Sequence, residues 1–444
     1  MNISVIGLGK LGLCTAACFA SAGHTVYGFD RNDYFRSELE ARRNPIEETG
    51  LTEILESAWE TLHIADSYEA ALHDSDITLI IVPTPSLPDG RFTNDYLVKV
   101  LEGLAPALKS KNSFHIVNVV STVMPGSCDN IFKPLLEQAT GKSCGTEFGL
   151  VYNPEFIALG SVIRNFLNPD MVLIGASDER SGSAVRELYS STCKTSPTMA
   201  VMSLVNAEIT KISLNCYVTM KISYANGLAA ICEQVPGADV DVITAAIGAD
   251  SRVGNKCLKG GLGFGGPCFP RDNIAFQVFA EEFGVEALLG KAVVAVNNSI
   301  PKRLFNRISE QCAPPAKVAL LGLSYKADTH IIEESHSMVL AKSLVAAGYQ
   351  VSLHDPTALD GARGLLGNDV VCCADPYECL TGAAAIALLT DWPQYRDLNW
   401  ERIAMLAAPG ALVLDSWRTA MSNDMSAFTY IPVGVGISAK DTYL

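Results

Sequence analysis

Between Gly260 and Asp272 the chain reads Gly-Gly-Leu-Gly-Phe-Gly-Gly-Pro-Cys-Phe-Pro-Arg-Asp, with five glycines in seven residues leading to Cys268. Glycine admits positive φ and close approach of backbone to a ligand, and the flanking Pro267 and Pro270 restrict how the cysteine is presented. A thiolate fixed in this way adds to a carbonyl carbon and holds it as a thiohemiacetal or a thioester, and the neighbouring Arg271 would favour the thiolate form. A Gly-rich turn around a buried, inert cysteine fits the same run equally well. Lys211 and Asn215 stand four residues apart in a stretch of helical spacing, so both project from one face. Together they offer an ammonium and an amide to an oxygen that becomes negative during a reaction. Taken alone, the pair also fits a solvated helix face.

The N-terminal segment places a second chemistry. Ile3-Ser4-Val5-Ile6 reads as a buried strand, and Gly7-Leu8-Gly9-Lys10-Leu11-Gly12 follows it at once, opening a helix through about Ala22. A second strand, Thr25 to Phe29, ends on Asp30. Glycines for a tight turn, a helix N-terminus for a pyrophosphate and an acid for the ribose hydroxyls form the βαβ dinucleotide fingerprint. Asp30 would repel a 2′-phosphate, which favours NAD over NADP, with Arg31 beside it pulling the other way. A packing turn that needs glycine for helix–strand contact is the competing account. Further strands end on polar residues: Ile77 to Val82 runs into Thr84, Ile116 to Val120 into Ser121-Thr122, and Leu150 to Tyr152 into Asn153-Pro154-Glu155. Ligands of open α/β sheets sit outside such strand ends, so Thr84, Thr122 and Glu155 are expected on one rim. Met171 to Gly175 is expected to close this sheet, making residues 1–200 one domain.

The elements that position these groups follow from periodicity. From Leu204 to about Glu233 there is no proline, and Ile212, Cys216, Met220, Tyr224 and Leu228 recur with helical spacing. Such a helix spans roughly 45 Å at 1.5 Å per residue, enough to bridge domains or pair with a second subunit. A helical middle domain is expected over 201–300, ending at Asn297-Asn298-Ser299-Ile300-Pro301, and a Pro-rich link at Ala313-Pro314-Pro315 precedes a lobe over 313–444. In that lobe Lys317 to Leu323 repeats the first strand and turn, and Ala347 to Asp355 echoes Ala22 to Asp30. The expected fold is therefore α/β: two Rossmann-like, doubly wound domains joined by a long central helix and a helical middle domain.

Composition bounds the partners. At 444 residues and 48% hydrophobic content the chain can bury two or three cores, and a formal charge of -15 without a basic stripe excludes nucleic acid as a natural partner. Thirteen cysteines, an odd number scattered through apolar segments, give no disulfide framework and no CxxC metal spacing, so no metal is expected and a reducing cytoplasm is. The N-terminus leads directly into a strand, and no stretch reaches the roughly 18 apolar residues of a membrane helix, so no membrane association is expected.

The ordered set Gly7-x-Gly9-x-x-Gly12, Ser121-Thr122-Val123, Asn153-Pro154-Glu155-Phe156, Asn206-Ala207-Glu208 through Lys211 and Asn215, Gly263-Phe264-Gly265-Gly266-x-Cys268-Phe269-Pro270 and Gly322-x-x-Tyr325-Lys326 resembles the UDP-glucose/GDP-mannose dehydrogenase family. The resemblance implies a four-electron oxidation of a sugar C6 alcohol to a carboxylate, consuming two NAD⁺ and one water, in a homodimer whose substrate is a nucleotide-diphosphate sugar. It implies that Cys268 captures the aldehyde, that Lys211, Asn215 and Asp272 orient the alcohol, stabilise an oxyanion and organise water, and that Thr122 and Glu155 serve thioester hydrolysis. It places Gly7, Leu8, Gly9, Lys10, Leu11, Gly12, Asp30, Thr84, Thr122 and Glu155 at the cofactor. Phe156, Lys211, Asn215, Gly265, Lys326 and Arg418 go to the substrate, and Arg252 to the substrate of the partner subunit. Three positions depart from the family pattern: Leu159 where an acid is common, Glu333 where an arginine is usual, and Ser416-Trp417-Arg418 in place of Gly-Arg. They point to a less common sugar nucleotide or to an altered last lobe with the same chemistry. A two-electron β-hydroxyacid type dehydrogenase, a non-catalytic NAD-binding redox sensor and a pure scaffold remain as alternatives.

Overall fold

The computed structural model describes residues 1–157 and 160–437, so Leu159 lies outside the described residues. The chain forms two compact units, Met1–Ser213 and Leu214–Leu444. The expected pair of Rossmann-like lobes is present, one in each.

The first unit is built on an eight-stranded sheet of order β3-β2-β1-β4-β5-β6-β7-β8. The strands are β1 (Asn2–Ile6), β2 (Thr25–Phe29), β3 (Leu62–Ile64), β4 (Ile77–Ile80), β5 (His115–Val119), β6 (Phe148–Tyr152), β7 (Met171–Ala176) and β8 (Thr198–Met202). Strands β4, β5 and β6 are buried along their whole length, which is why they read as mainly apolar runs, broken by the buried Thr78, His115 and Asn118. All pairings are parallel except β6 with β7. Met171–Ala176 does not close the sheet, as its apolar pattern had implied. It enters antiparallel to β6, the Glu179–Thr192 helix follows, and β8 pairs parallel to it as the true edge. An edge strand needs little apolar patterning, and β8 is only half-buried.

The turn after β1 shows why its glycines are needed, and the three differ. Gly7 has φ of +95°, and a Cβ there would meet the Ile81 carbonyl oxygen at 2.2 Å. A Cβ on Gly12 would lie 1.8 Å from the Gly7 carbonyl oxygen, because the Lys10–Ser21 helix packs directly on the turn. A Cβ on Gly9 would meet nothing within 4 Å, and as N-cap of the helix Gly9 makes no side-chain cap to its first amides. Two glycines therefore serve packing, and the third leaves an open approach to an uncapped helix N-terminus, which suits a pyrophosphate.

The Leu204–Cys232 helix, 29 residues long as expected, starts within the first unit and ends within the second, where the Val240–Ala249, Phe269–Glu282 and Leu288–Gln311 helices follow. The last of these runs straight through Pro301, where the sequence had implied an end to the helical region. Proline forfeits one bond to the carbonyl four residues earlier. Burial of Ile300, Leu304 and Ile308 against the C-terminal lobe offsets that loss. The lobe is a six-stranded parallel sheet of order β11-β10-β9-β12-β13-β14. Its strands are β9 (Lys317–Leu321), β10 (Gln350–His354), β11 (Val370–Cys372), β12 (Ala385–Leu388), β13 (Leu412–Asp415) and β14 (Thr429–Pro432).

The internal echo extends to single hydrogen bonds. Gly7 donates to the Phe29 carbonyl and Gly322 to that of His354, both at 2.8 Å. Leu8 N–H reaches Asp30 Oδ2 at 2.6 Å, and Leu323 N–H reaches Asp355 Oδ2 at 2.7 Å. The lobes then diverge. Asp30 is half-buried and, among the described residues, its other oxygen takes the Asn32 amide, leaving lone pairs for a ribose. Asp355 is 1% exposed and further receives Ser324, Thr357, Ala358 and the Trp392 indole, so it is a structural acid.

None of the thirteen cysteines forms a disulfide, and buried ones such as Cys14, pushed up to about 12 by desolvation, act as small hydrophobes. Among the described residues no helix is long and apolar enough to cross a membrane, and no His/Cys/Asp/Glu cluster could hold a metal.

The turn geometry separates two substitutions of the same chemical size. Gly12→Ala should destabilise the protein by at least about 2 kcal/mol, since backbone must move. Gly9→Ala should cost no more than about 0.5 kcal/mol in stability while weakening NAD binding about tenfold. Thermal unfolding and titration calorimetry read the two effects, and equal loss of stability in both variants would contradict the division of roles.

Candidate active site

In the first unit the adjacent strands β4, β5 and β6 bring the three rim residues to one end of the sheet. The Thr84 hydroxyl donates to the Thr122 carbonyl at 2.6 Å. Ser121 ties the strand ends together, its hydroxyl accepting from Val82 N–H at 2.9 Å and donating to the Val82 carbonyl at 2.7 Å. Beyond β6, Asn153 is buried with its amide on the Leu173 carbonyl, which fixes the start of the Asn153-Pro154-Glu155-Phe156 loop. Lys211, itself only 7% exposed, donates to the main-chain oxygen of Glu155 at 2.6 Å and lies 4.5 Å from the centre of the Phe156 ring. Three of the residues carried by the resemblance therefore meet around one loop.

Two groups in this unit escaped the sequence reading. The hydroxyl of Tyr189 donates to Glu155 Oε1 at 2.6 Å. Burial pushes the Glu155 carboxyl up to about 7, with the Tyr189 hydrogen bond and the Lys211 charge pulling it back. Glu48 has a side chain 1% exposed that accepts from Gly160 and Val162 amides and lies 3.8 Å from Lys10. It anchors the far end of the Asn-Pro-Glu-Phe loop and engages the ammonium of Lys10, a residue expected at the cofactor. Glu208, flagged only as part of a motif, is fully buried and receives the Gly126 and Cys128 amides at 2.6 and 2.8 Å, setting the start of the long helix.

In the second unit Cys268 is exposed and is the N-cap of the Phe269–Glu282 helix, its carbonyl accepting from Asp272 N–H at 2.9 Å. This excludes the buried, inert cysteine. A helix N-terminus also favours negative charge, whether thiolate or oxyanion. Of the two uses expected of the glycines before it, positive φ is met in this run at Gly266 alone, at +79°. The others remove side chains from close packing. A Cβ on Gly263 would lie 2.0 Å from Asn297 Oδ1, and one on Gly265 2.4 Å from the Glu334 carbonyl oxygen. Glu333 contributes its main-chain oxygen, which accepts from Gly266 N–H at 3.0 Å, so this departure from the family pattern lends backbone to the loop.

Asn215 donates to Asp272 Oδ2 at 2.6 Å, and both are buried. Arg271 turns towards the same carboxylate, its Nε 3.5 Å from Asp272 Oδ1. Beside the loop lies a pocket of about 310 Å³ whose walls include Phe264, Phe269, Tyr325 and Trp417, with Lys259 and Lys326 on its lining and Gly265 in its floor. Aromatic faces and two cations suit a base and phosphates. Tyr325 is close enough to Cys268 to feel its charge, and burial with that charge pushes the phenol up to about 12. Trp417 is held by its indole N–H on the Leu389 carbonyl at 2.9 Å, against Gly261.

Arg418 departs from its expected place at the substrate. Its guanidinium is 4% exposed and all five N–H donors are engaged, two on Asp241 and the rest on the Ser416, Val433 and Gly260 carbonyls. None is left for a phosphate, and the side chain clamps the start of the glycine loop. Arg252 projects into solvent, 87% exposed, and pairs with Asp250 at 2.6 Å.

Comparison with known proteins assigns the chain to a family. Residues 1–193 match the NAD binding domain of the UDP-glucose/GDP-mannose dehydrogenase family, residues 205–299 its central domain and residues 319–421 its UDP binding domain. A UDP-glucose 6-dehydrogenase of Haloferax volcanii is 34% identical over 409 residues, covering 91% of this chain and 94% of its own length. One of Rickettsia typhi is 30% identical over 443 residues, covering 98% and 99%. The solved UDP-glucose dehydrogenase of Pyrobaculum islandicum matches 98% of both chains at 33% identity with a TM-score of 0.88. A UDP-D-ManNAc dehydrogenase from Pyrococcus horikoshii, 24% identical and covering 99% of this chain and all of its own, shares the fold with a TM-score of 0.84. The cofactor is NAD, and the reaction is NAD-dependent oxidation of a nucleotide sugar. With its cysteine loop, dinucleotide turn and second lobe in family order, the chain belongs to the UDP-glucose/GDP-mannose dehydrogenase family.

Proposed function

We propose that the protein oxidises the C6 alcohol of UDP-glucose to the carboxylate in two steps through a thioester on Cys268. The observation that carries this reading is the exposed Cys268 at a helix N-terminus, on a loop that packing holds rigid. The names of the relatives at 30% identity and above support UDP-glucose as substrate. The aromatic pocket with Lys259 and Lys326 supports a nucleotide diphosphate in the second unit.

NAD⁺ supplies a hydride acceptor for each of the two oxidations. In the first, the alcohol gives up a proton and a hydride and becomes an aldehyde, its oxygen charge met by Lys211 and by the amide of Asn215. Asp272 holds that amide in orientation through the 2.6 Å bond. The Cys268 thiolate then adds to the aldehyde carbon, giving a thiohemiacetal that cannot diffuse away. Loss of its hydroxyl proton and a second hydride converts it to the thioester. Water attacks the thioester carbon, the C–S bond breaks, and the carboxylate leaves with the thiol restored. Glu155, pushed up to about 7, is matched to accept the proton of that water near neutral pH, with Thr122 beside it in the sheet rim.

The family's homodimer and a cytoplasmic location are part of the same proposal. Tyr217, Tyr224 and Ile231 recur at heptad spacing on the long helix and are 54%, 55% and 61% exposed, a seam suited to a second copy. Arg252, exposed beyond that helix, would then serve the partner's substrate. Thirteen cysteines without a disulfide favour a reducing compartment.

Incubation with NAD⁺ and a panel of sugar nucleotides should give two NADH per UDP-glucose consumed, and Cys268→Ala should lose uronate formation by at least about a thousandfold. One NADH per sugar, or unchanged turnover without the thiol, would select a two-electron dehydrogenase instead. Tyr224→Glu should convert a dimer to monomer in sedimentation, and an unchanged mass would dismiss the helix seam.

A further inference from the structure

We propose that Tyr189 is a positioning residue for the reaction, holding the Glu155 carboxylate in place through a hydrogen bond from within the core. The inference rests on the reading of Glu155 as the base for thioester hydrolysis, and it concerns a residue that no motif in the sequence marks.

Tyr189 is 1% exposed and lies on the Glu179–Thr192 helix with its ring packed edge-on to Phe19, centroids 5.5 Å apart, and 5.7 Å from the centre of Phe166. Those rings make the position apolar, where phenylalanine would pack as well. The hydroxyl therefore needs a partner. It donates to Glu155 Oε1 at 2.6 Å, the length of a bond to an ionised oxygen, and the Asn153 side chain bonds to the same hydroxyl. Asn153 is itself tied to the Leu173 carbonyl at 2.8 Å, so the chain of contacts begins in the sheet.

Among the described residues, the other groups near the carboxylate act on it differently. Lys211 acts on it as a charge, but its ammonium bonds to the main-chain oxygen of Glu155. Cys18 and Cys193 face the same carboxylate, and burial pushes both thiols up, Cys193 to about 11, so neither is charged near neutral pH. Tyr189 is thus the side chain whose hydrogen bond favours the ionised form against desolvation. Without it the balance tips towards the neutral acid, which cannot accept a proton.

Tyr189→Phe in the full chain, assayed with NAD⁺ and UDP-glucose, should shift the rising limb of the kcat–pH profile upward by about one unit, with about tenfold less activity below the limb and the same plateau above it. A purely structural role would lower the unfolding midpoint and leave the limb in place, and that result overturns the proposal. The titration of Glu155 followed by carboxyl ¹³C NMR in the protein without substrate should move upward in the same variant, and an unmoved titration also overturns it. Glu155→Gln separates the two claims. If that variant keeps the wild-type profile, the base assignment fails, while the carboxyl titration still decides whether Tyr189 controls the group.

Discussion

The rest of the structure depends on one packing constraint, the absence of a Cβ at the glycines that alternate with Leu262 and Phe264 between Gly260 and Gly266. Backbone there lies within contact of Asn297, His336, Tyr325, Trp417 and the Glu334 carbonyl, at separations that no Cβ could occupy. The loop is therefore held by the elements around it and not by its own torsional preferences. Arg418 reinforces it by binding the Gly260 carbonyl with a guanidinium whose every donor is committed. Cys268 lies just beyond and caps a helix, so its thiol inherits a fixed origin. Under the proposed mechanism such an origin would serve two successive hydride transfers from one carbon, because each requires near-attack geometry.

The two lobes use one design for opposite ends. Both join a glycine after the first strand to the end of the second, and both send a leucine amide to the acid that follows. In the first lobe the helix begins at Lys10, directly after the turn, and Asp30 keeps acceptor capacity for a ribose. In the second, Asp355 is filled by protein donors and the helix begins only at His336, so the intervening loop is released to build the aromatic pocket. A change in where the acid's lone pairs are spent separates a dinucleotide site from a sugar-nucleotide pocket.

Much of this was legible in the sequence, because close backbone packing leaves glycine as its mark. The turn from Gly7 to Gly12, the loop before Cys268, the 29-residue helix and the repeat at Asp355 all announce themselves by residue type and spacing. Strand β8 was hidden because an edge strand need not be apolar, and the helix through Pro301 because burial overrode a local breaker. Arg418 carried the right charge for a phosphate, but only the structure shows that its donors are already taken. Tyr189 and Glu48 were invisible for a related reason. Their partners lie 34 and more than 100 residues away, and a tyrosine in an apolar helix face reads as core until its hydroxyl is located.

The central claim is a covalent bond between Cys268 and the oxidised sugar carbon. Rapid acid quenching of wild-type enzyme during a single turnover with NAD⁺ and UDP-glucose, followed by peptide mass analysis, tests it most directly. The account predicts an acyl adduct on the peptide containing Cys268 that rises and decays within the turnover and is released by hydroxylamine. Full oxidation to the uronate with no adduct on Cys268, or with the adduct on another cysteine, would contradict it.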